Sequence, residues 1–512
     1  LSSCARQSVV FPWVLEGSRG KQRPPVSNAM IPIGETHDGR ADMTNFEMDL
    51  FDTRMHSTKM DKEEEQCCSG SASRRQLIKP ACLPISVLSL LIIALVFLPL
   101  FKDEDLEAPD KMSLTSLCSH PCGVRLAETI PTGLSLSRDH QSTASAWLDL
   151  IQSSQHFLDI SSFYWTLKND TYPTADKGRS VLSAIAEAAR RGVKVRIVQN
   201  SSSEDSAWLA RNGYAKVRTL NFSSLLGGGV LHTKFLISDM RRVYIGSANV
   251  DWRSLAEVKE LGAVMSDCPC VAADLYRVFA VYWRLGEEGA VIPEKWPISY
   301  RTQYSLRSPM PIDLELFDAK KKVEKAELFI SSSPIPFNPK GRQDDLDSIV
   351  SLIGEAKFTV CVSVMDFLPQ TLYMRNNSYW HPLDVALRSA AFRGVQVRLL
   401  ISSWKFTSPA TLPFLRSLLA INEAIKGNIS IKMFRVPADA QQERIDHARV
   451  NHAKYMVADG TAYIGTSNWA GDYFINTAGV GLVIRSAMFS SQLQEVFDRD
   501  WDSQYASLLP LK

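Results

Sequence analysis

Two distant stretches of the chain repeat one pattern of ionisable and hydrogen-bonding side chains. Residues 231–252 read LHTKFLISDMRRVYIGSANVDW, and residues 450–469 read VNHAKYMVADGTAYIGTSNW. The motif His-x-Lys-x4-Asp is present in both, as His232, Lys234 and Asp239 and as His452, Lys454 and Asp459, and Gly-Ser/Thr-x-Asn follows it at a matching distance. A buried core needs no repeated set of charges, which are costly to bury unpaired. The repeat therefore predicts one functional site built from two halves.

The two halves repeat more than this motif. Buried strands are predicted at residues 156–165 and 357–367, helices at 180–191 and 383–393, and further apolar strands at 192–200 and 394–402. A strand, helix and strand in succession indicate parallel pairing. We therefore predict an α/β fold in which two homologous halves form a pseudo-twofold pair.

An uncharged apolar segment of 21 positions, ACLPISVLSLLIIALVFLPLF, lies at residues 81–101. As a helix it is long enough to cross a bilayer, and its distance from the first residue favours an uncleaved signal anchor, with a buried core helix as the alternative. Basic residues precede it and acidic residues follow it, which predicts a cytosolic N-terminus and a lumenal main domain. All five Asn-x-Ser/Thr sequons follow the segment and are predicted glycosylation sites: Asn169, Asn200, Asn221, Asn376 and Asn428.

These features divide the chain into five predicted segments. They are a mostly disordered cytosolic tail (1–80), the transmembrane anchor (81–101), a lumenal stalk (102–126), a first half with its motif (127–300) and a second half with its motif (301–512).

Four of the five cysteines after the apolar segment form two close pairs, Cys118 with Cys122 and Cys268 with Cys270. Such spacings can hold a metal ion, but in an oxidising lumen two disulfides that join the first pair to the second are preferred, and no metal site is predicted. Cys361 lies in an apolar run and is predicted to be a buried free thiol.

The repeated motif suits chemistry on a phosphate ester. Side chains at positions i and i+2 of a strand share a face, so each strand would present its histidine and lysine together. The cations neutralise phosphate oxygens, one imidazole attacks phosphorus, and the other protonates the leaving oxygen. This route passes through phosphohistidine and needs no cofactor. Further donors to the phosphate are predicted at Ser247, Asn249, Ser467 and Asn468, whereas Asp239 and Asp459 fall at expected hairpin turns and take a secondary role in the catalytic motif.

The doubled motif resembles that of the phospholipase D superfamily. The wider sequence, including VLHTKF, GSANVDWRSL, VKELGAV, RVNHAKYMV, YIGTSNW and FDRDW, is similar to the single-span type II members three and four, over essentially everything after the stalk. The resemblance implies an endolysosomal 5′→3′ exonuclease that acts on single-stranded DNA and RNA through a covalent phosphohistidine. One alternative is a phospholipid phosphodiesterase or transphosphatidylase that uses the same two histidines. A non-enzymatic alternative is an adhesion or receptor ectodomain whose site is no longer active.

The resemblance also implies an acidic residue after each motif that orients a histidine of the opposite half. Glu260 in VKELG fits that position, whereas the second half has Gly479 there. A carboxylate on Nδ1 fixes the tautomer and leaves Nε2 free to attack. We therefore assign His452 as the nucleophile and His232 as the acid.

Aromatic residues near the motifs are candidates for stacking on unpaired bases, with core packing as the alternative. They are Tyr164, Trp165 and Trp469, with Phe163, Trp404, Tyr473 and Phe474 as further candidates. The predicted partners are single-stranded DNA or RNA and a membrane that one transmembrane helix crosses. A phospholipid substrate and a homodimer are further possibilities. The resemblance implies passage through the endoplasmic reticulum and Golgi to endolysosomes, with a soluble lysosomal form after cleavage in the stalk.

Overall fold

The computed structural model describes residues 118, 120–316, 322–374 and 377–509. The predicted tail, the predicted membrane segment and the sequon Asn376 lie outside the described residues. Within the described ranges, no helix is both long and apolar enough to cross a membrane.

Strands and helices occur in a similar order in both halves. The first half contains β1 (Cys122–Thr129), β2 (Gln141–Ser142), α1 (Thr143–Gln152), β3 (Phe157–Ser162), β4 (Trp165–Thr166), α2 (Asp176–Arg190), β5 (Lys194–Gln199), α3 (Glu204–Arg211), β6 (Lys216–Thr219), α4 (Phe222–Leu226), β7 (Phe235–Ser238), β8 (Arg242–Gly246), β9 (Val250–Asp251), α5 (Trp252–Ala256), β10 (Glu260–Ser266) and α6 (Pro269–Leu285).

The second half continues the series. It contains β11 (Met310–Leu316), β12 (Val323–Ser333), β13 (Gln343–Asp344), α7 (Asp345–Glu355), β14 (Thr359–Val364), β15 (Phe367–Leu368), α8 (Pro382–Arg393), β16 (Gln396–Ser402), α9 (Thr411–Leu419), β17 (Asn428–Phe434), β18 (Lys454–Ala458), β19 (Thr461–Gly465), β20 (Trp469–Ala470), α10 (Asp472–Ile475), β21 (Gly479–Arg485), α11 (Ala487–Trp501) and β22 (Ala506–Leu508).

The strand pairings repeat across the halves. Neighbours run β6-β5-β3-β7-β8-β10-β1 in the first half and β17-β16-β14-β18-β19-β21-β12 in the second. The outer three strands of each series are parallel, and the remaining pairs are antiparallel. β11 pairs with both β1 and β12, so the halves join into an 18-stranded sheet.

The structure confirms the predicted order of strand, helix and parallel strand. β3 and β14 lie within the first predicted pair of strands, α2 and α8 overlap the predicted helices, and β5 and β16 pair in parallel with β3 and β14. Gly394 ends α8 with a left-handed φ of 105°, which a residue without Cβ adopts without strain. One boundary differs from prediction: β1 crosses the expected end of the stalk at residue 126, because its residues pair with β10 along their whole length.

Helices cover the outer faces of the sheet, and a shared core lies between the halves. α1 and α2 pack on the first half, and α7 and α8 pack on the second. α6 and α11 contribute Phe279, Tyr282, Phe489 and Phe497 to the shared core, together with strand residues of both halves. The halves are therefore fixed to each other by burial as well as by the sheet.

Two disulfides close the start of the folded domain. Cys118 bonds to Cys270 and Cys122 bonds to Cys268, which ties β1 to the first turn of α6. The prediction that one cysteine pair bridges to the other is confirmed, and Cys361 is a buried free thiol as expected.

Candidate active site

Each motif begins where its half of the sheet meets the other half. The backbone N–H of His232 donates to the carbonyl of Ala478, and that of His452 donates to the carbonyl of Lys259. Lys259 and Ala478 directly precede β10 and β21, so the internal symmetry brings both motifs to one place. The strand prediction needs one correction. β7 and β18 begin only at Phe235 and Lys454, because the histidines pair with the opposite half instead of continuing the local ladder.

The two lysines point into this junction and are fully buried. Lys234 Nζ donates to the carbonyl of His232, and Lys454 Nζ donates to the carbonyl of His452. Burial lowers the pKa of Lys234 well below its usual 10.5, and the charge of Lys454 lowers it further. Burial also lowers the pKa of Lys454 to about 7, against the attraction of Glu260. Both ammonium groups would therefore gain from an anion placed between them.

His452 is held by a carboxylate from the opposite half. Nδ1 of His452 lies 2.9 Å from Oε2 of Glu260, whose side chain is completely buried. Two hydroxyl groups also donate to this carboxylate, Ser247 Oγ at 2.5 Å and Ser254 Oγ at 2.8 Å. Burial lowers the pKa of the His452 imidazole, while Glu260 opposes that effect. The contact fixes the proton on Nδ1 and leaves Nε2 free for the reaction, because a carboxylate can only accept.

His232 is held in a different way. Its ring contacts two aromatic rings, with centroids 5.3 Å from Phe163 and 5.0 Å from Tyr473. Its buried Nδ1 makes no hydrogen bond of normal geometry within the described part of the chain. Burial lowers the pKa of His232 well below 6.5, and the charges of Lys234, Lys454 and His452 act in the same direction.

Gly479 occupies the position that corresponds to Glu260. A Cβ atom there would lie 2.2 Å from Oγ of Ser467 and 2.9 Å from Oγ of Ser333, so the second half has no room for a carboxylate. The predicted asymmetry between Glu260 and Gly479 therefore has a steric cause.

The asparagines of the motifs define the two sides of the site. Asn249 Nδ2 lies 3.4 Å from the Tyr164 hydroxyl group, which in turn donates to Asp251 at 2.9 Å. Asn468 Nδ2 donates to Oδ2 of Asp366 and to the Tyr473 hydroxyl oxygen, both at 3.1 Å. The Oδ1 atoms of both asparagines are buried and without a partner among the described residues.

Known proteins with similar sequences indicate the same superfamily as the doubled motif. Residues 134–439 match the family described as PLD3/4, PLD-like domain, a match that ends before the second motif. A probable phospholipase D of Caenorhabditis elegans is 50% identical over 94% of this chain and 91% of its own length. The proteins named 5′-3′ exonuclease PLD3 from Homo sapiens and Xenopus tropicalis are each 43% identical over 76% of this chain and 81% of their own.

The chain belongs to the PLD3/4 family. As a member of the phospholipase D superfamily it is a phosphodiesterase. The fold agrees with a solved structure of phosphatidylserine synthase from Haemophilus influenzae, which shares 13% sequence identity, matches with a TM-score of 0.50 and covers 75% of this chain and 87% of its own.

The motif aspartates of this family member lie at hairpin turns, away from the histidines. Asp239 accepts three hydrogen bonds from the backbone N–H groups of residues 155–157, and Asp459 accepts three from those of residues 357–359. Both adopt left-handed φ angles, 49° and 48°. Their assignment to the catalytic group is therefore wrong: each fixes the turn after the motif strand to the start of β3 or β14, since a carboxylate can satisfy several amides at once.

Two predicted stacking residues are part of the core. Trp165 and Trp469 are each 2% exposed. Trp165 Nε1 donates to Ser162 Oγ at 2.6 Å, and the ring of Trp469 packs on Phe367. Their prediction as substrate contacts is wrong, because each ring is enclosed in the hydrophobic core of its own half. Tyr164, one residue earlier than Trp165, does reach the site.

The structural counterpart of Ser247 is Thr466 and not Ser467. Ser247 Oγ and Thr466 Oγ1 each accept a hydrogen bond from a backbone N–H of the neighbouring strand, that of Leu261 or Val480, at 3.0 Å. Ser467 Oγ is buried beside Gly479 and has no partner within the described ranges. Ser467 thus takes up space that a carboxylate would need and does not repeat the role of Ser247.

The described sequons differ in accessibility. Asn221 and Asn428 are exposed, whereas Asn169 and Asn200 are partly buried. Oδ1 of Asn200 accepts from the backbone N–H of Leu231, next to the first motif histidine. Glycosylation at these positions stays a prediction, with Asn221 and Asn428 the most accessible.

One contact of the site was not predicted as functional, the carboxyl of Asp366. Phe163 and Tyr473 were candidates for base stacking, but their contact with His232 was not predicted. Asp366 occupies the position in the second half that Tyr164 occupies in the first. Aligning the repeated strands residue by residue would have indicated it, because Tyr164 was already a candidate. Phe163 and Tyr473 come from opposite halves, so only the assembled fold shows that they meet at His232.

Proposed function

We propose that this phosphodiesterase is a lumenal 5′→3′ exonuclease that cleaves single-stranded DNA or RNA through a phosphohistidine at His452. The observation that carries the proposal is the unequal support of the two histidines across a pair of buried lysines. Glu260 holds Nδ1 of His452, whereas aromatic rings hold His232. Such an arrangement suits one attacking and one proton-transferring imidazole.

The proposed reaction has two displacement steps. In the first, Nε2 of His452 forms a bond to phosphorus, the bond from phosphorus to the leaving oxygen breaks, and that oxygen takes a proton from His232. In the second, His232 takes a proton from water, the water oxygen bonds to phosphorus, and the bond to His452 breaks. The released strand end carries a hydroxyl group, and both imidazoles return to their initial protonation states.

Lys234 and Lys454 stabilise the charge on the phosphorane-like transition state, since both are buried and face the same junction. A phosphate bound between them also raises the pKa of His232, because its negative charge opposes the cations that lower that pKa. Substrate binding thereby helps His232 to hold the proton that the first step consumes.

The names of the relatives support nucleic acid as the substrate, because proteins 43% identical to this chain are called 5′-3′ exonucleases. An exposed aromatic group near the second motif supports a single strand. Phe406 is 46% exposed, stacks on His447 with ring centroids 4.8 Å apart, and meets Trp404 at 4.9 Å. Trp404 packs in one cluster with Val450, two residues before His452. Unpaired bases stack on such surfaces without sequence preference.

We also propose a membrane-anchored precursor whose main domain lies in the lumen of the endolysosomal system. The apolar segment at 81–101, the one-sided sequons and the two disulfides support this location. The carboxyl groups of the partly buried Asp366 and the fully buried Asp345 have raised pKa values, about 6 and about 7, which suit an acidic compartment.

A digestion assay tests the function. The chain from residue 111 onward, purified with its disulfides, is incubated at pH 5 with single-stranded oligonucleotides labelled at either end, in the presence of EDTA. We expect stepwise loss of the 5′ label first, equal activity without EDTA, and no activity in H452N or H232N. Hydrolysis of labelled phosphatidylglycerol without loss of either oligonucleotide label would contradict nucleic acid as the substrate and favour the lipid enzyme.

A further inference from the structure

One residue at the junction of the two halves, Lys259, belongs to a buried ion pair. Its Nζ lies 2.5 Å from Oδ2 of Asp500, and both side chains are completely buried. Oδ1 of the same carboxylate accepts from Arg499 at 2.9 Å, and Arg499 also pairs with Glu128 of β1 at 2.8 Å. The ion pair therefore joins the start of β10, in the first half, to α11 of the second half.

The backbone of Lys259 is bound to the second motif. Its N–H donates to the carbonyl of Val450 at 2.9 Å, and its carbonyl accepts from the N–H of His452 at 2.8 Å. Glu260 follows directly, and successive side chains of an extended segment point to opposite faces. The Glu260 carboxylate accordingly reaches Nδ1 of His452, and the Lys259 ammonium group reaches α11. The ion pair thus holds the backbone from which the Glu260 side chain extends.

The second half has an uncharged residue at the position equivalent to Lys259. Ala478 makes the same two backbone hydrogen bonds to the first motif segment, and its carbonyl accepts from the N–H of His232. Gly479 follows Ala478, just as Glu260 follows Lys259. The charged residue and the carboxylate therefore occur together in one half and are replaced together in the other.

The partner helix in the first half also has an uncharged residue at the equivalent position. The sequences VFAVYW at 278–283 of α6 and VFDRDW at 496–501 of α11 align without a gap. In both helices the phenylalanine ring stacks on the tryptophan four residues later, with ring centroids 5.9 Å and 5.5 Å apart. Tyr282 therefore corresponds to Asp500, and alanine and tyrosine take the two places that the ion pair occupies on the side of the nucleophile.

The fold does not depend on charges at such a place. Two charges lose their hydration on burial, and their attraction offsets that cost only in part, so an apolar pair of similar volume is often as stable or more stable. Ala478 and Tyr282 are both buried and show that the junction can be built from uncharged side chains. An ion pair adds direction, because the carboxylate holds the ammonium group at one point. This property suits the accurate placement of a neighbouring residue.

We propose that the ion pair of Lys259 and Asp500 positions the nucleophile: it fixes the backbone of residue 259 and thereby sets the distance between the Glu260 carboxylate and Nδ1 of His452. Both members are positioning residues, and neither takes part in bond cleavage. Without the ion pair, Glu260 would hold the Nδ1 proton less firmly, and Nε2 would attack phosphorus more slowly. The proposal rests on the proposed role of His452 and not on the choice of nucleic acid.

The test uses H232N as the parent protein and bis(4-nitrophenyl) phosphate as the substrate, because a nitrophenolate leaving group needs no acid. Hydrolysis of the phosphoenzyme needs His232 in the proposed reaction, so the burst stays visible. Its amplitude counts the folded sites, and its rate measures the attack by His452. We expect D500N in this parent to lower the burst rate by about thirtyfold. A purely structural role would lower the amplitude and leave the rate unchanged.

K259M/D500L and D274N are the matched variants in the same parent. K259M/D500L replaces the ion pair with apolar side chains of similar size, so it should fold even if D500N does not, and it should show the same fall in rate. Asp274 is equally buried and pairs at 2.7 Å with Arg342, a residue outside both motifs. D274N should therefore keep the burst rate within about threefold. Burst rates of D500N and K259M/D500L that equal the rate of the parent would overturn the proposal.

A second measurement needs no substrate. In protein with isotopically labelled histidine, a proton held between Nδ1 of His452 and a carboxylate gives an NMR signal far downfield. We expect this signal in the wild type and in D274N, its loss in E260Q, and its displacement upfield in D500N. A D500N signal at the wild-type position would also overturn the proposal. If the H232N parent gave no burst, His452 as the nucleophile would be contradicted, and this signal would still decide whether the ion pair sets the contact.

Discussion

Replacement of Glu260 by glutamine is expected to lower kcat by about 10⁴-fold, the size of effect that a carboxylate-to-amide change has in the serine protease triad. Glu260 accepts from Nδ1 of His452 and from the hydroxyls of Ser247 and Ser254, all at or below 3.1 Å. A glutamine amide can direct its N–H groups at Nδ1, which moves the imidazole proton to Nε2. The nitrogen that attacks phosphorus would then carry a proton and have no free lone pair.

The control for this variant is E257Q. Glu257 is buried three residues earlier, and it pairs with Arg449 at 3.1 Å and not with a histidine. We expect E257Q to keep kcat within about tenfold of the wild type, with any larger effect appearing in stability. Steady-state kinetics at pH 5 with a nitrophenyl phosphodiester measures kcat for E260Q and for E257Q. A folded E260Q protein whose kcat lies within tenfold of wild type would rule out the orienting role of Glu260.

The free energy of unfolding is expected to fall between pH 5 and pH 7.5 because of Asp345. Burial raises the pKa of this carboxyl to about 7 in the folded protein, whereas its ordinary value is 3.8. The folded state therefore binds the proton more tightly than the unfolded state. Its stabilising contribution is complete below about pH 3.8 and is lost as the pH rises towards 7.

Between pH 5 and pH 7.5 this group alone should reduce stability by about 2.5 kcal/mol. D345N cannot ionise, and its side chain can still accept from Ser331 and Tyr463. The wild type should therefore lose about 2.5 kcal/mol more unfolding free energy than D345N when the pH is raised from 5 to 7.5. Urea denaturation at both pH values, with the disulfides intact, measures the shift. A difference that is the same at both pH values would show that Asp345 ionises normally in the folded protein.

The sequence was sufficient for features that depend on local pattern or on the internal repeat. Strand, helix and parallel strand followed from apolar periodicity, and the bridging of one close cysteine pair to the other followed from their grouping. The specific partners, Cys118 with Cys270 and Cys122 with Cys268, came from the structure. The family resemblance supplied the contact between Glu260 and a histidine of the opposite half, which the structure places at 2.9 Å.

Features that depend on the meeting of distant segments were not predicted. The sheet is continuous because β11 pairs with β1 of the first half and with β12 of the second. No local sequence pattern shows that one strand will pair with both halves. The aromatic contacts of His232 come from Phe163 in one half and Tyr473 in the other. Asp239 and Asp459 were grouped with the catalytic residues because the sequence shows their spacing to the histidines and not the backbone amides that they bind.

The central claim is that His452 forms the covalent intermediate and His232 transfers the proton. A matched pair of variants, H232N and H452N, is mixed with bis(4-nitrophenyl) phosphate, because a nitrophenolate leaving group needs no acid. The reaction is stopped in alkali, which preserves phosphohistidine, and the modified peptide is identified by mass spectrometry. We predict a burst of about one equivalent of nitrophenolate in H232N, with the phosphoryl group on His452, and no burst in H452N. A burst in H452N with the phosphoryl group on His232 would contradict the account.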